Sequence, residues 1–349
     1  MYKKLALYFC VIFLMLSCKV DPKINAPLPS NNLVEVIPEG WPQPNYTFSI
    51  NTISQDKFIL GRALFYETML SADNTISCGS CHQQVVAFAH ANHAISHGIN
   101  SLMGTRNAPA LFNLTWQKAF MHDGGINNIE VQPLAPIQNT VEMADNINNV
   151  LAKLQASTKY KDLFNKAYGS EEVNTQKMLR AMAQFMGLMY SYNSKYDLFK
   201  RVENNVQLSD AELRGYNLFI AKCNSCHKEP LFTDYVYRSN GTAINPFVND
   251  SGRAKVTGST LDKYKFKTPT LRNIVLTKPY MHDGSLQTLN DCLNHYTNPI
   301  TNTTNLDPLL QTNGIPMTPN EKQDIIAFLN TLTDYKLIED KRFADPNFK

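Results

Sequence analysis

Three things are scarce in this chain of 349 residues, and each scarcity closes a class of function. Net charge is scarce: 33 Lys and Arg stand against 30 Asp and Glu, a balance of +3, and charged residues make up only 18%. No basic stripe is left over for a phosphate backbone, so nucleic acid is excluded as a partner. Long apolar runs are scarce as well. The longest, Leu5 to Leu16, holds about twelve residues, short of the roughly 20 that a spanning helix needs. Cysteine is scarce and unevenly placed: of seven, four stand in two copies of one short pattern. A convincing run of alternating strand residues is missing altogether, so the class is mainly α. With 43% hydrophobic side chains the chain can still bury two cores, and two domains are expected.

The repeated pattern is Cys78-Gly79-Ser80-Cys81-His82 and Cys223-Asn224-Ser225-Cys226-His227. Cys-x-x-Cys-His is the attachment signal of c-type haem: two thiols add across the porphyrin vinyl groups and the His becomes the proximal iron ligand. A four-thiolate zinc site would need the pairs close together, whereas Cys223 comes 145 positions after Cys78. A thioredoxin-like dithiol would need a βαβ context, and neither alternative explains a His after each pair. Two covalent c-type haems are therefore expected, held by Cys78, Cys81, Cys223 and Cys226, with His82 and His227 on iron. Of the remaining thiols only Cys292 falls outside the N-terminal segment, so no intrachain disulfide is expected and Cys292 reads as a small core residue.

The N-terminus reads as a targeting segment. Lys3 and Lys4 precede the apolar run, which ends Met15-Leu16-Ser17-Cys18. That ending resembles a bacterial lipoprotein signal, implying residues 1–18 as signal peptide, cleavage before Cys18 and lipidation of its thiol. Ordinary export with Cys18 inside a discarded leader is the alternative; both place the protein outside the cytoplasm, in the periplasm. Residues 19–50, with Pro22, Pro27, Pro29, Pro38, Pro42 and Pro44, read as an extended tether. A first haem domain is expected over 51–205 and a second over 206–349.

Helical signals fill both. Ile59, Leu60, Ala63 and Leu64 recur at helical spacing before the first haem motif. Met178, Met182, Phe185, Met186 and Met189 share one face of the stretch 175–199, and that spacing indicates core packing rather than iron ligation. Ser209 with Glu212 and Thr318 with Glu321 are capping boxes opening two further helices. An internal repeat is also visible. Thr105-Arg106-Asn107-Ala108-Pro109-Ala110-Leu111 leads to Phe120-Met121-His122-Asp123-Gly124. Thr268-Pro269-Thr270-Leu271-Arg272-Asn273 leads to Tyr280-Met281-His282-Asp283-Gly284. Two related cytochrome-c-like domains, each binding one haem, account for it.

Over about residues 51–335 the chain resembles the bacterial di-haem cytochrome c peroxidases, a family that includes the methylamine-utilisation di-haem enzyme. The resemblance rests on Leu60-Gly61-Arg62, the two haem motifs, Arg106-Asn107-Ala108-Pro109, Val141-Glu142-Met143 and Pro279-Tyr280-Met281-His282-Asp283-Gly284. It implies that hydrogen peroxide is reduced at the first haem and that the second relays electrons from a small cytochrome or copper protein. It implies His97, in Ser96-His97-Gly98, as a distal ligand that must leave before peroxide binds. It implies Glu142 as the catalytic acid–base group and Gln132 as an amide that positions peroxide, roles needed for moving a proton between the two oxygens. Asn107, Thr277 and Pro279 match positions that hold a calcium ion between the domains, and oxygen donors suit that hard cation. His90 and His93 read as surface-loop histidines.

Two departures stand out. His122 occupies a position where the family usually carries Trp. The far ligand of the second haem falls on Tyr296, as in the methylamine-utilisation enzyme, with Met281 and Met317 as fallbacks; a phenolate would lower the potential that Met would raise. The leading expectation is a lipid-anchored, extracytoplasmic peroxidase. Its partners would be hydrogen peroxide, the donor protein, the membrane through the lipid, and a second copy of the chain. The alternatives are a di-haem oxidase of the methylamine-utilisation type acting on a protein or organic substrate, and a non-enzymatic electron carrier.

Overall fold

Most helices in this chain start where a polar side chain can satisfy the first free backbone N–H groups. A computed structural model describes residues 33–310 and 312–347, which belong to one unit. The signal-like segment, including Cys18, lies outside the described residues. Twelve helices follow in order: α1 Gln55–Phe65, α2 Cys78–Cys81, α3 Leu134–Gln138, α4 Ile147–Ala156, α5 Thr158–Tyr168, α6 Thr175–Gly187, α7 Lys195–Lys200, α8 Asp210–Lys222, α9 Ala254–Thr257, α10 Leu289–Thr297, α11 Pro319–Asn330 and α12 Tyr335–Ile338. Ser54, Asn146, Ser157, Asn174 and Ser194 cap α1, α4, α5, α6 and α7. The capping boxes read from sequence open α8 and α11. The only strands among the described residues, β1 Tyr237–Arg238 and β2 Phe266–Lys267, form one short antiparallel pair. The structure is mainly helical, as the pattern required.

Each half is built on a helix crossing that has a glycine at its closest point. Gly61 of α1 lies against Ala181 of α6, where a Cβ would stand 2.0 Å from the Ala181 carbonyl oxygen. Gly215 of α8 lies against α11, where a Cβ would stand 1.9 Å from the Asp324 carbonyl oxygen. Around these crossings pack Phe58, Phe65, Met182 and Phe185 in one half, and Phe219, Ile325 and Phe328 in the other. Gly215→Ala should therefore force the α8/α11 pair apart and cost about 1–3 kcal/mol of stability, as overpacking of a close contact does. A denaturant midpoint shifted downward in the holoprotein checks it; an unchanged midpoint contradicts the close crossing.

The methionine stripe is core: Met178, Met182, Phe185, Met186 and Met189 are all buried. The stretch 175–199 is not one helix, however. It breaks after Gly187 so that Ser191 can meet the pseudo-equivalent Asn113 and Asn273. Asn113 Nδ2 donates to the Ser191 carbonyl at 3.0 Å, and Asn273 Nδ2 donates to Ser191 Oγ at 3.0 Å.

Two segments cross between regions that the sequence separates. The described part of the Pro-rich stretch, from residue 33 onward, is extended but not a free spacer. Trp41 packs edge-on to Trp116 with ring centroids 5.0 Å apart, Trp116 Nε1 donates to the Pro42 carbonyl at 2.8 Å, and Phe48 is buried. Its aromatic residues dock it despite the prolines. At the other end, the chain returns to the first half: Phe343 joins Phe58, Phe88 and Phe185, and Tyr66 donates to its carbonyl at 2.7 Å. Among the described residues no helix is long and apolar enough to cross a membrane.

Candidate functional site

Both Cys-x-x-Cys-His segments line a single cavity of ≈ 690 Å³. The first forms α2, capped by Ser77 and Ser80 acting on each other, and the chain turns at His82. His82 Nδ1 donates to the Phe88 carbonyl at 2.9 Å, leaving Nε2 as the free nitrogen. Burial pushes His82 down to about 4, so its imidazole is neutral, the form that can ligate a metal. The second copy repeats the device: His227 Nδ1 donates to the Pro269 carbonyl at 3.1 Å and lies 3.3 Å from that of Phe232. Phe88 and Phe232 both have positive φ, 60° and 55°, which turns their carbonyls toward the imidazoles. The only trace of this pair in the sequence is a Phe shortly after each pentapeptide.

At the first end the cavity wall also carries His97, Gln132 and Glu142. Gly98 brings two of them together: a Cβ there would stand 2.2 Å from the Val141 carbonyl oxygen and 2.4 Å from Glu142 Cα. Ile99 N–H donates to the Glu142 carbonyl at 2.8 Å across the same contact. Burial raises the Glu142 carboxyl, and a hydrogen bond from Asn139 Nδ2 at 2.9 Å works against it. Glu142 is close enough to the α2 thiols for its charge to push Cys78 and Cys81 up, on top of their burial. Gln132 Nε2 points to Met121 Sδ at 3.8 Å. His90 departs from expectation. It is only 7% exposed because its ring stacks on His93 with centroids 4.2 Å apart, and its Nδ1 has no partner among the described residues. His93 is exposed and edge-on to His97 at 5.2 Å.

At the second end Tyr296, on α10, lines the cavity with Met281, Met317 and Cys292. Cys292 is thus a wall residue rather than a core one, and burial pushes its thiol up to about 12. Asn240, not singled out in the sequence, links the rival far ligands: its Nδ2 donates to Tyr296 Oη at 3.3 Å and reaches Met281 Sδ at 3.4 Å. Burial pushes the Tyr296 hydroxyl up to about 12. Among the described residues this wall carries the Asn240 amide but no carboxyl to match Glu142.

Asn107, Thr277 and Pro279 line the cavity between the two ends. Asn107 Nδ2 donates to the His93 carbonyl at 2.9 Å and the Ala94 carbonyl at 3.2 Å, so Oδ1 is the free end of its amide. Among the described residues no hydrogen bond reaches the Thr277 or Pro279 carbonyl oxygen. Among the described residues no three His, Cys, Asp or Glu side chains converge on a metal position, so a cation there would be held by amide and carbonyl oxygens. His122 donates from Nε2 to the Asn107 carbonyl at 2.9 Å, and burial pushes it down to about 4. Nearby, burial pushes Lys267 down to about 7 against the pull of Asp123. Arg106 joins Asp123 at 2.6 Å and Asp250 at 2.5 Å.

A family model described as di-haem cytochrome c peroxidase matches residues 55–205. Methylamine utilization protein MauG of Methylorubrum extorquens is 33% identical over 301 residues, 84% of this chain and 82% of that protein. Cytochrome c551 peroxidase of Nitrosomonas europaea is 34% identical over 287 residues, 80% of this chain and 81% of its own. Among solved structures, a MauG-like protein associated with microbial copper homeostasis superposes with a TM-score of 0.79 at 31% identity, covering 89% of this chain and 98% of that one. The di-haem peroxidase BthA of Burkholderia thailandensis shares the fold, with a TM-score of 0.70 at 22% identity over 82% of this chain and 88% of its own.

Proposed function

The chain belongs to the di-haem cytochrome c peroxidase and MauG family, and on that premise we propose that it reduces hydrogen peroxide to water at the His82 end of its cavity. It is an oxidoreductase of the peroxidase type carrying c-type haem. The observation that carries the assignment of ends is the asymmetry of the cavity wall: a half-buried, raised carboxyl accompanies the first pentapeptide, whereas among the described residues the wall by the second offers the Asn240 amide and no carboxyl.

The residues present fit the cofactor, with paired thiols on one helical turn and a neutral imidazole held by its Nδ1 in each half. Bound haem supplies the iron at which the O–O bond is reduced. Glu142 takes the proton from the near peroxide oxygen and returns it to the far one, and Gln132 orients the peroxide. His97, on the same wall, would close the site to peroxide in the resting protein. Two electrons from the donor and two protons from solvent complete the conversion of one peroxide to two waters.

Electrons enter at the second pentapeptide, whose Ser225 is exposed, while the first is covered where Tyr66 packs on Gly79. Each half, 51–205 and 206–349, holds one haem through its own Cys-x-x-Cys-His. The protein works outside the cytoplasm, tethered by a lipid on Cys18. The test is steady-state turnover of the holoprotein with a reduced small cytochrome or copper protein: two donor equivalents oxidised per peroxide support the reading, and peroxide loss without donor oxidation contradicts it.

Asn107 Oδ1 and the Thr277 and Pro279 carbonyls would hold a hard cation, calcium by the donor set. Removing it with EGTA should slow electron transfer between the haems at least several-fold, and readded Ca²⁺ should restore the rate. An EGTA-insensitive rate counts against the site.

A second reading, a MauG-type oxidase, is favoured by Tyr296 on the second wall with an amide donor at its hydroxyl oxygen. In that case peroxide consumption would be coupled to oxidation of an organic or protein substrate, with the donor cytochrome left reduced.

A further inference from the structure

The internal repeat runs in constant register from Asn107 to Gly124 and from Lys267 to Gly284. Its local geometry is copied as well. Asn113 and Asn273 have φ of 52° and 57°, Met121 and Met281 67° and 73°, Gly124 and Gly284 75° and 65°. Phe120 bridges to Ile126 as Tyr280 bridges to Leu286. The two copies also exchange a backbone bond: Asn107 N–H donates to the His282 carbonyl at 2.8 Å, and Lys267 N–H donates to the His122 carbonyl at 2.7 Å. Asn107 thus meets the loop 277–282 as Lys267 meets the loop 117–122, and Gln117 and Ala119 are the counterparts of Thr277 and Pro279.

The two meeting points are filled differently. Lys267 Nζ donates to Gln117 Oε1 at 2.5 Å and to the Ala119 carbonyl at 2.6 Å. At the other point the short side chain of Asn107 leaves the Pro279 carbonyl without a donor among the described residues. A lysine side chain carries its own cation on a four-carbon stem, whereas an asparagine brings only an oxygen.

We propose that Lys267 is a built-in cation, its ammonium taking at Gln117 and Ala119 the place that a divalent cation takes from solution at Asn107, Thr277 and Pro279. One crossing between the halves is thereby locked by a group the chain itself carries, and its twin only when the ion is bound. Lys267 acts as a positioning residue, holding the loop that carries His122 between the two haem ends. The proposal rests on the cation reading of Asn107, Thr277 and Pro279 given above.

The test is the calcium content of the di-haem holoprotein, by mass spectrometry of the metal after dialysis against Ca²⁺, together with melting temperature with and without EGTA. Wild type should carry one Ca²⁺ per chain, and Lys267→Asn, which copies the other half, should carry two. One Ca²⁺ in both overturns the proposal and leaves the cation reading standing; none in wild type overturns the cation reading itself and the proposal with it. Should Lys267→Asn fail to load haem, Asn107→Lys decides. It should carry no Ca²⁺ and melt at the temperature of calcium-loaded wild type, indifferent to EGTA. Melting at the lower temperature of chelated wild type overturns the proposal.

Discussion

Glu142→Gln should lower the turnover of peroxide by about 10²–10⁴-fold while both haem spectra stay as in wild type, the usual weight of a positioned acid–base group. The exchange keeps the side chain's size and its capacity to accept from Asn139 Nδ2, so what is lost is the proton site. A pH profile separates this from a packing effect. The carboxylate is the form that accepts the peroxide proton, so kcat/KM should fall as pH drops through the Glu142 pKa. Burial raises that pKa above the ordinary 4.5, with the Asn139 bond as the opposing influence. The acid limb should therefore lie above the ordinary carboxylate range, move further up in Asn139→Ala, and vanish in Glu142→Gln. Steady-state assays at saturating donor measure all three; wild-type turnover in Glu142→Gln removes the residue from the mechanism.

Arg272→Ala should cost about 3–5 kcal/mol of stability, the range for stripping one partner from a buried ion pair. Arg272 is 1% exposed, and its guanidinium holds both Asp197 oxygens at 2.7 and 2.8 Å and the Pro230 carbonyl at 2.8 and 3.0 Å. It also lies over the Trp41 ring at 4.7 Å and near Phe232, whose carbonyl faces His227. Burial pushes the Asp197 carboxyl up, and Arg272 with Ser194 more than reverses that, so its pKa ends below the ordinary 3.8. A lowered carboxyl contributes stability that is present above the unfolded pKa and lost as pH falls through the folded one. In wild type this contribution should fade only below about pH 4. Without Arg272, only the Ser194 hydrogen bonds oppose burial, so the Asp197 carboxyl rises from its wild-type position and the stability gap between variant and wild type should narrow as pH is lowered from 7 toward 5. Urea midpoints of the holoproteins at the two pH values test this, and a variant with wild-type pH dependence would show that the pair is not what keeps Asp197 ionised.

Legibility in the sequence divides along contact distance. Local signals carried the helices: Ser209 with Glu212 and Thr318 with Glu321 open α8 and α11, and the pentapeptides fold as single turns ending in His82 and His227. The repeat was visible as words, and its register emerges only in the structure, where Asn107 pairs with Lys267 and Asn113 with Asn273. Contacts set by distant backbone left no periodic trace. The stretch around Trp41 looks like a proline-rich spacer until Trp116 and Arg272 supply a surface for it. His90 looks like a loop residue until His93 stacks on it, and Cys292 looks like core filling until α10 turns it toward the cavity. Asn240 belongs to no motif, yet its amide reaches both candidate far ligands at the second end.

The central claim is that one pentapeptide serves chemistry and its twin serves supply. Low-temperature electron paramagnetic resonance of the holoprotein, oxidised and then half-reduced, tests it most directly. The account predicts low-spin signals in the oxidised protein as His97 covers the first site, and a high-spin signal on half-reduction that one equivalent of peroxide abolishes. His97→Ala should show the high-spin signal without any reduction. Two low-spin signals that persist through half-reduction and ignore peroxide would make the protein an electron carrier and contradict the account.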